Sequence, residues 1–136
     1  MSRYLVDTDI CSYAIKYKQP ELLVKIRAGL INDELAISVV TKAELLYGLE
    51  LVPEATTLRK AVLAFLACIP VLEWPLPAAH HYAKLRSIQK LTGNPIGYMD
   101  TLIAAHALAE NLILITHNTK HYARVEGLQI EDWVIL

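Results

Sequence analysis

The chain has 136 residues, 54 % of them hydrophobic, and a formal net charge of −1. That composition excludes a wholly disordered polymer and suits a single domain over residues 1–136 with a buried core. The near-neutral balance argues against a protein that holds nucleic acid mainly by bulk electrostatics. It leaves room for an enzyme that touches its substrate through a few local charges.

Tyr4-Leu5-Val6 is a short apolar run that stops at Asp7. No signal-peptide core precedes it. Leu35-Ala36-Ile37-Ser38-Val39, Pro70-Val71-Leu72-Glu73-Trp74 and Leu112-Ile113-Leu114-Ile115 are further strand candidates, and residues 128–136 suggest a short edge strand. Most of these runs lack polar alternation, as expected for strands covered on both faces of a parallel sheet.

Helical patterns lie between them. A helix is expected to begin near Ile10. Residues 20–28 follow a Pro start, with Gly29 placed as a stop. Residues 41–51, 54–67, 77–91 and 98–110 complete the set, with Thr92-Gly93-Asn94-Pro95 as a strong terminator. Strands alternating with helices predict an α/β three-layer α/β/α sandwich around about four to five parallel strands. The longest apolar stretch, residues 61–72, is broken by Pro70 and is shorter than the ~20 residues a membrane span requires. Cys11 and Cys68 show no CxxC spacing and read as reduced thiols of a cytoplasmic protein.

In such a fold chemistry gathers where strands end at their carboxyl edge. Asp7 ends the first strand there. It also suits an N-cap, although Asp9 is the better placed of the two for that role. Glu44 belongs to Thr41-Lys42-Ala43-Glu44, which reads as a capping box. Its helical neighbours Tyr47, Gly48 and Leu51 suggest an apolar face, where an unpartnered carboxylate is expensive. Asp100 opens a helix, where the macrodipole favours an anion. Ile103, Ala104 and Ala107 continue its stripe into the core, and Gly97 just before it suggests close backbone approach. Carboxylates drawn together repel unless a divalent cation holds them. Oxygen ligands suit Mg²⁺ or Mn²⁺ rather than Zn²⁺. Such a site is equipped to hydrolyse phosphodiesters.

The segments Leu5-Val6-Asp7-Thr8-Asp9-Ile10, residues 38–48, residues 93–107 and Leu114-Ile115-Thr116-His117-Asn118-Thr119-Lys120-His121-Tyr122 resemble, in order, the successive motifs of PIN-domain ribonucleases. More narrowly they resemble VapC-type toxins of toxin–antitoxin pairs, over essentially the whole chain. The resemblance implies a PIN-like fold, Mg²⁺ or Mn²⁺ dependence and endonucleolytic cleavage of RNA. It places Asp7, Glu44 and Asp100 as catalytic acids, with Asp7 and Asp100 holding the metal. Thr8, Asp9, Thr116 and Asn118 fall in supporting positions. It further implies homodimers and inhibition by a small VapB-like antitoxin, and initiator tRNA is a frequent target in the subgroup. Two departures stand out. Asp9 replaces the usual Asn, and the customary fourth acid is absent, with Asn118 and His121 in its place.

Arg86, Lys84 and Lys90 form a basic run that could hold RNA phosphates, with Arg86 the favoured member; the plain reading is a solvated helix face. His80, His81 and His106 lack zinc spacing and read as surface or packing residues. His117 and His121 are four apart near the expected site. The tryptophans and tyrosines read as packing or interface residues. Two alternatives remain open at this stage. One is a catalytically lapsed binding module of the same fold. The other is a phosphatase of the haloacid dehalogenase type, suggested by Asp7-Thr8-Asp9 after a first strand.

Overall fold

The computed structural model describes residues 2–134. Five short strands, β1 (Tyr4–Val6), β2 (Leu35–Ser38), β3 (Val71–Leu72), β4 (Ile113–Ile115) and β5 (Ile130–Glu131), form one sheet in the order β3-β2-β1-β4-β5. Every neighbouring pair is parallel. Seven helices connect or flank them: α1 (Thr8–Tyr17), α2 (Pro20–Ile31), α3 (Val39–Glu50), α4 (Thr56–Cys68), α5 (Ala78–Thr92), α6 (Tyr98–Glu110) and α7 (Thr119–Tyr122). The expected edge strand is confined to β5; Ile135 and Leu136, also included in that expectation, lie outside the described residues.

The lack of alternation in the strands has a direct cause. Val6 and Ile115 pack with Ile10, Leu22, Leu45 and Val62 in a core on one side of the sheet. Their neighbours Leu5 and Leu114 pack with Ile103, Ala104 and Tyr122 on the other. Each fully buried aliphatic side chain contributes about 1.5–3 kcal/mol, so both faces must stay covered. The result is helix, sheet and helix in three layers.

Three local expectations change. Gly29 does not stop α2, which runs on to Ile31. A Cβ at Gly29 would lie 2.5 Å from Leu35 Cγ, so this glycine serves the seating of α2 on β2. The helix ends instead at Asn32, followed by Asp33 at φ 56°. Val39 belongs to α3 rather than to β2, because the Ser38 side chain accepts the Val40 N–H and caps the helix there. At the start of α1, Asp7 and not Asp9 is the cap, and the helix begins at Thr8. Asp7 keeps the extended backbone of the strand while its side chain accepts the Thr8 N–H at 2.8 Å.

Strands β1 to β3 step across the sheet in one direction and β4 to β5 in the other. The reversal falls between β1 and β4, whose carboxyl ends carry Asp7 and Thr116. A parallel sheet opens its binding crevice at such a switch point.

Candidate active site

Asp7 is 3 % exposed. Its backbone N–H bonds to Ile115 at 2.8 Å, tying the end of β1 to the end of β4. Across that junction the Thr116 hydroxyl donates to Asp7 Oδ2 at 2.8 Å. The Asn118 N–H donates in turn to the Thr116 hydroxyl at 3.0 Å. Asp9, one residue into α1, has Oδ2 held by the His117 N–H at 3.0 Å. Its other oxygen, Oδ1, is buried without a hydrogen-bond partner.

Glu44 arrives from α3, and not through a capping box. Because Ser38 caps that helix, Thr41 lies one turn in and is fully buried. The Thr8 hydroxyl donates to Glu44 Oε1 at 2.7 Å and lies 3.1 Å from the Thr41 hydroxyl. Thr8 thus links the first motif to the acid of the next. Glu44 is half-buried, but its supposed apolar companions are not core. Tyr47 and Leu51 are 64 % and 63 % exposed, while Thr41, Leu45 and Leu49 form the buried stripe of α3.

Asp100 lies in the first turn of α6, half-buried, above fully buried Ile103, Ala104 and Ala107. Gly97 caps that helix at φ 94°, a conformation that side chains other than glycine rarely adopt. Nothing lies within 4 Å of where its Cβ would be, so its freedom of φ, and not close approach, is what the site uses. Thr101 anchors the turn by donating to the Gly97 carbonyl at 2.6 Å. The His121 Nδ1 lies 3.9 Å from Asp100 Oδ2 and 2.9 Å from the Asn118 amide nitrogen.

Burial sets the electrostatics. It is the main cause that pushes Asp7 up to about 8, with the Asp9 and Asp100 charges adding to it and the Thr116 hydrogen bond opposing it. Burial also raises Asp9, Glu44 and Asp100, against the His117 N–H, the Thr8 hydroxyl and the Tyr122 hydroxyl respectively. Cys11 beneath them is fully buried, and burial with Asp7 and Asp9 drives its thiol far up, so it is inert. Among the described residues, no three of His, Cys, Asp and Glu close into a ready metal cage. The donors nevertheless fit a hard cation of the Mg²⁺ kind. They are all oxygen, they repel one another, and Asp9 Oδ1 is an orphaned buried acceptor. Such a cation keeps several waters and needs only one or two direct carboxylates.

The residues read as RNA-binding separate in space. Lys84 lines a cavity of about 500 Å³ with Leu85, Ile88, Leu108 and Arg124. Arg86 turns to another face, with its guanidinium 4.1 Å from the Tyr98 ring centroid and donating to the Tyr82 hydroxyl at 2.7 Å. Two residues along a helix differ by about 200°, which splits the run. Arg86 and Lys90, four apart on one face, line a cavity with Gly97 and Tyr98 at the end of α6 that carries Asp100, and Lys84 does not. The paired histidines also part: His117 Nδ1 lies 2.9 Å from Asp132 Oδ2, away from His121. Tyr122 was missed. Its ring packs as expected, yet the hydroxyl is buried beside the acids. Its spacing of four from Asn118, one helical turn after the site strand, was the available signal.

A PIN-domain family profile matches residues 4–128. Over 133 residues the chain is 36 % identical to the tRNA(fMet)-specific endonuclease VapC of Shigella flexneri, covering 98 % of this chain and 99 % of that protein. Among solved structures, DNA-bound VapBC from Salmonella typhimurium superposes with a TM-score of 0.91 at 30 % identity, covering 98 % of this chain and 100 % of the other. VapBC2 from Rickettsia felis, bound to a promoter DNA fragment, gives 0.89 at 31 % identity over 96 % and 98 %. This chain belongs to the PIN-domain family, and within it to the VapC group. The phosphatase alternative falls with that membership. The residues after β4, Thr116-His117-Asn118, also lack the acids such chemistry draws from a later strand.

Proposed function

We propose that the chain is a metal-dependent endoribonuclease toxin whose single domain spans the full 136 residues. The observation that carries this reading is the cluster of buried Asp7 with half-buried Asp9 and Asp100 at the β1/β4 switch point, all three raised by burial and Asp7 further by the charges of the other two. Asp7 and Asp100 are the residues to hold Mg²⁺ or Mn²⁺, and Glu44 orients water. Such an ion supplies a water of lowered pKa and neutralises charge on phosphate oxygens.

The chain's own groups do the rest. Thr116 fixes the Asp7 carboxylate from β4, and Thr8 fixes Glu44 from α1. Asn118 and the His117 N–H brace Thr116 and Asp9. Arg86, flattened on Tyr98, offers a charge for the RNA backbone next to the acids. The Shigella relative is named for initiator tRNA, and a structured RNA of that class is the substrate proposed here. The VapBC complexes support a small VapB-like antitoxin as partner. A homodimer acting in the cytoplasm completes the reading; among the described residues no helix is long and apolar enough to cross a membrane.

Purified protein incubated with total RNA and Mg²⁺ should release discrete fragments. EDTA should abolish them and added Mn²⁺ restore them. Intact RNA at high enzyme concentration with either ion would sink the enzyme reading and leave a binding module.

A further inference from the structure

Among the described residues Tyr122 is the largest fully buried side chain, yet its hydroxyl has no hydrogen-bond partner among them. Leaving a hydroxyl buried and unpaired costs about 1–3 kcal/mol. A phenylalanine would fill the same space without that cost, so packing alone explains the ring and not the oxygen. The groups around the oxygen are the site acids. Asp7, Asp100 and Asp9 all act on the phenol, which burial drives far above its ordinary value. In return the hydroxyl steadies the charged form of Asp100.

The other candidate donor to Asp100 is occupied. His121 Nδ1 stands 3.9 Å from the carboxylate but 2.9 Å from the Asn118 amide nitrogen. With that amide donating, Nδ1 is an acceptor and brings no proton to Asp100. The hydroxyl of the next residue, Tyr122, is the other donor that bears on Asp100.

We propose that the Tyr122 hydroxyl is a positioning donor that closes a hydrogen bond to Asp100 when a divalent cation draws that carboxylate into its holding orientation. The proposal rests on the metal-dependent reading above. The bond would satisfy the orphaned hydroxyl and leave the outer carboxylate oxygen for the metal. Loss of a partner that orients a ligand in this way typically weakens metal affinity about ten- to a hundredfold.

The test is Tyr122→Phe in the full chain, with Mn²⁺ as the probe. Calorimetric titration should show Mn²⁺ affinity weakened about tenfold. RNA cleavage should lose kcat with KM unchanged, and the melting temperature without metal should hold or rise. Wild-type affinity and kcat in the variant would overturn the proposal while leaving the nuclease reading intact. A wild type that binds no Mn²⁺ overturns both. Should the variant fail to fold, the Raman doublet of a ring-labelled tyrosine placed at position 122 alone, one of seven tyrosines, read with and without Mg²⁺, decides. A change in hydroxyl hydrogen bonding supports the proposal, and an unchanged doublet overturns it.

Discussion

Two buried polar places lie near the ends of neighbouring strands and behave in opposite ways. At the end of β2, His106 from α6 meets the Ser38 hydroxyl at 2.9 Å, and both residues are fully buried. Burial alone holds that imidazole neutral, lowering it to about 4. At the end of β1, burial is again the largest cause acting on Asp7, but Asp9 and Asp100 stand beside it, and the carboxyl rises to about 8. A lone buried histidine solves its problem by shedding a proton. A cluster of acids solves it only by keeping protons or gaining a cation. The first arrangement is structural, with Ser38 on Nδ1 and Nε2 left buried without a partner among the described residues; the second, on the proposed reading, is completed by a cation.

The largest effect should follow from removing one acid. Asp7→Asn retains a capping side chain but loses a charge, so RNA cleavage should fall on the order of 10³-fold, the equivalent of several kcal/mol. Folded Asp7 binds its proton more tightly than the unfolded chain does. Its contribution is therefore whole below 3.8 and disappears as pH rises toward about 8. Without metal, the variant should melt at or above the wild-type temperature, with a gain that grows across that interval. A variant that unfolds would make Asp7 a structural cap and nothing more.

His106 should give the opposite slope. Its folded form resists protonation, so its contribution is present above 6.5 and is lost as pH falls toward about 4. The loss approaches roughly 3 kcal/mol over that range. Urea unfolding of His106→Gln should show a flatter acid limb than the wild type, with cleavage at neutral pH retained. An identical acid limb would show that the imidazole does not titrate as a buried neutral group.

The smallest effect divides the basic residues. Arg86→Ala should raise KM for RNA several-fold and reduce the slope of log KM against log salt by about one. Lys84→Ala, facing the other side of α5, should change neither. Equal effects from both would mean that RNA crosses the whole of α5, and the split between those faces would lose its functional meaning.

Much of this was legible in residue order because strand burial and helix punctuation are local signals. The bounds of α6 follow directly from Gly97 and Asn111, both at positive φ. The nearby cap of α3 did not, since Ser38 and Thr41 are equally suitable residues. Ser38 prevails because β2 must end where its pairing with β3 ends, at Leu72. The supporting threonines were recognisable as neighbours, but Thr8 could not be assigned to Glu44 across 36 residues of chain.

The sequence by itself determined the alternation of apolar strands with helices, and it put an acid at the end of the first strand and at the start of α6. Periodicity and turn chemistry act within a few residues, so these features need no partner. Only the tertiary structure decided that Asp7, rather than Asp9, caps α1, that Gly29 is an approach and not a stop, and that Arg86 rather than Lys84 lies on Tyr98. It also decided that the Tyr122 hydroxyl lies among the acids. Each of these depends on which surfaces meet in the folded chain, and hydrogen bonds across the β1/β4 reversal join residues more than a hundred positions apart, as Thr116 joins Asp7.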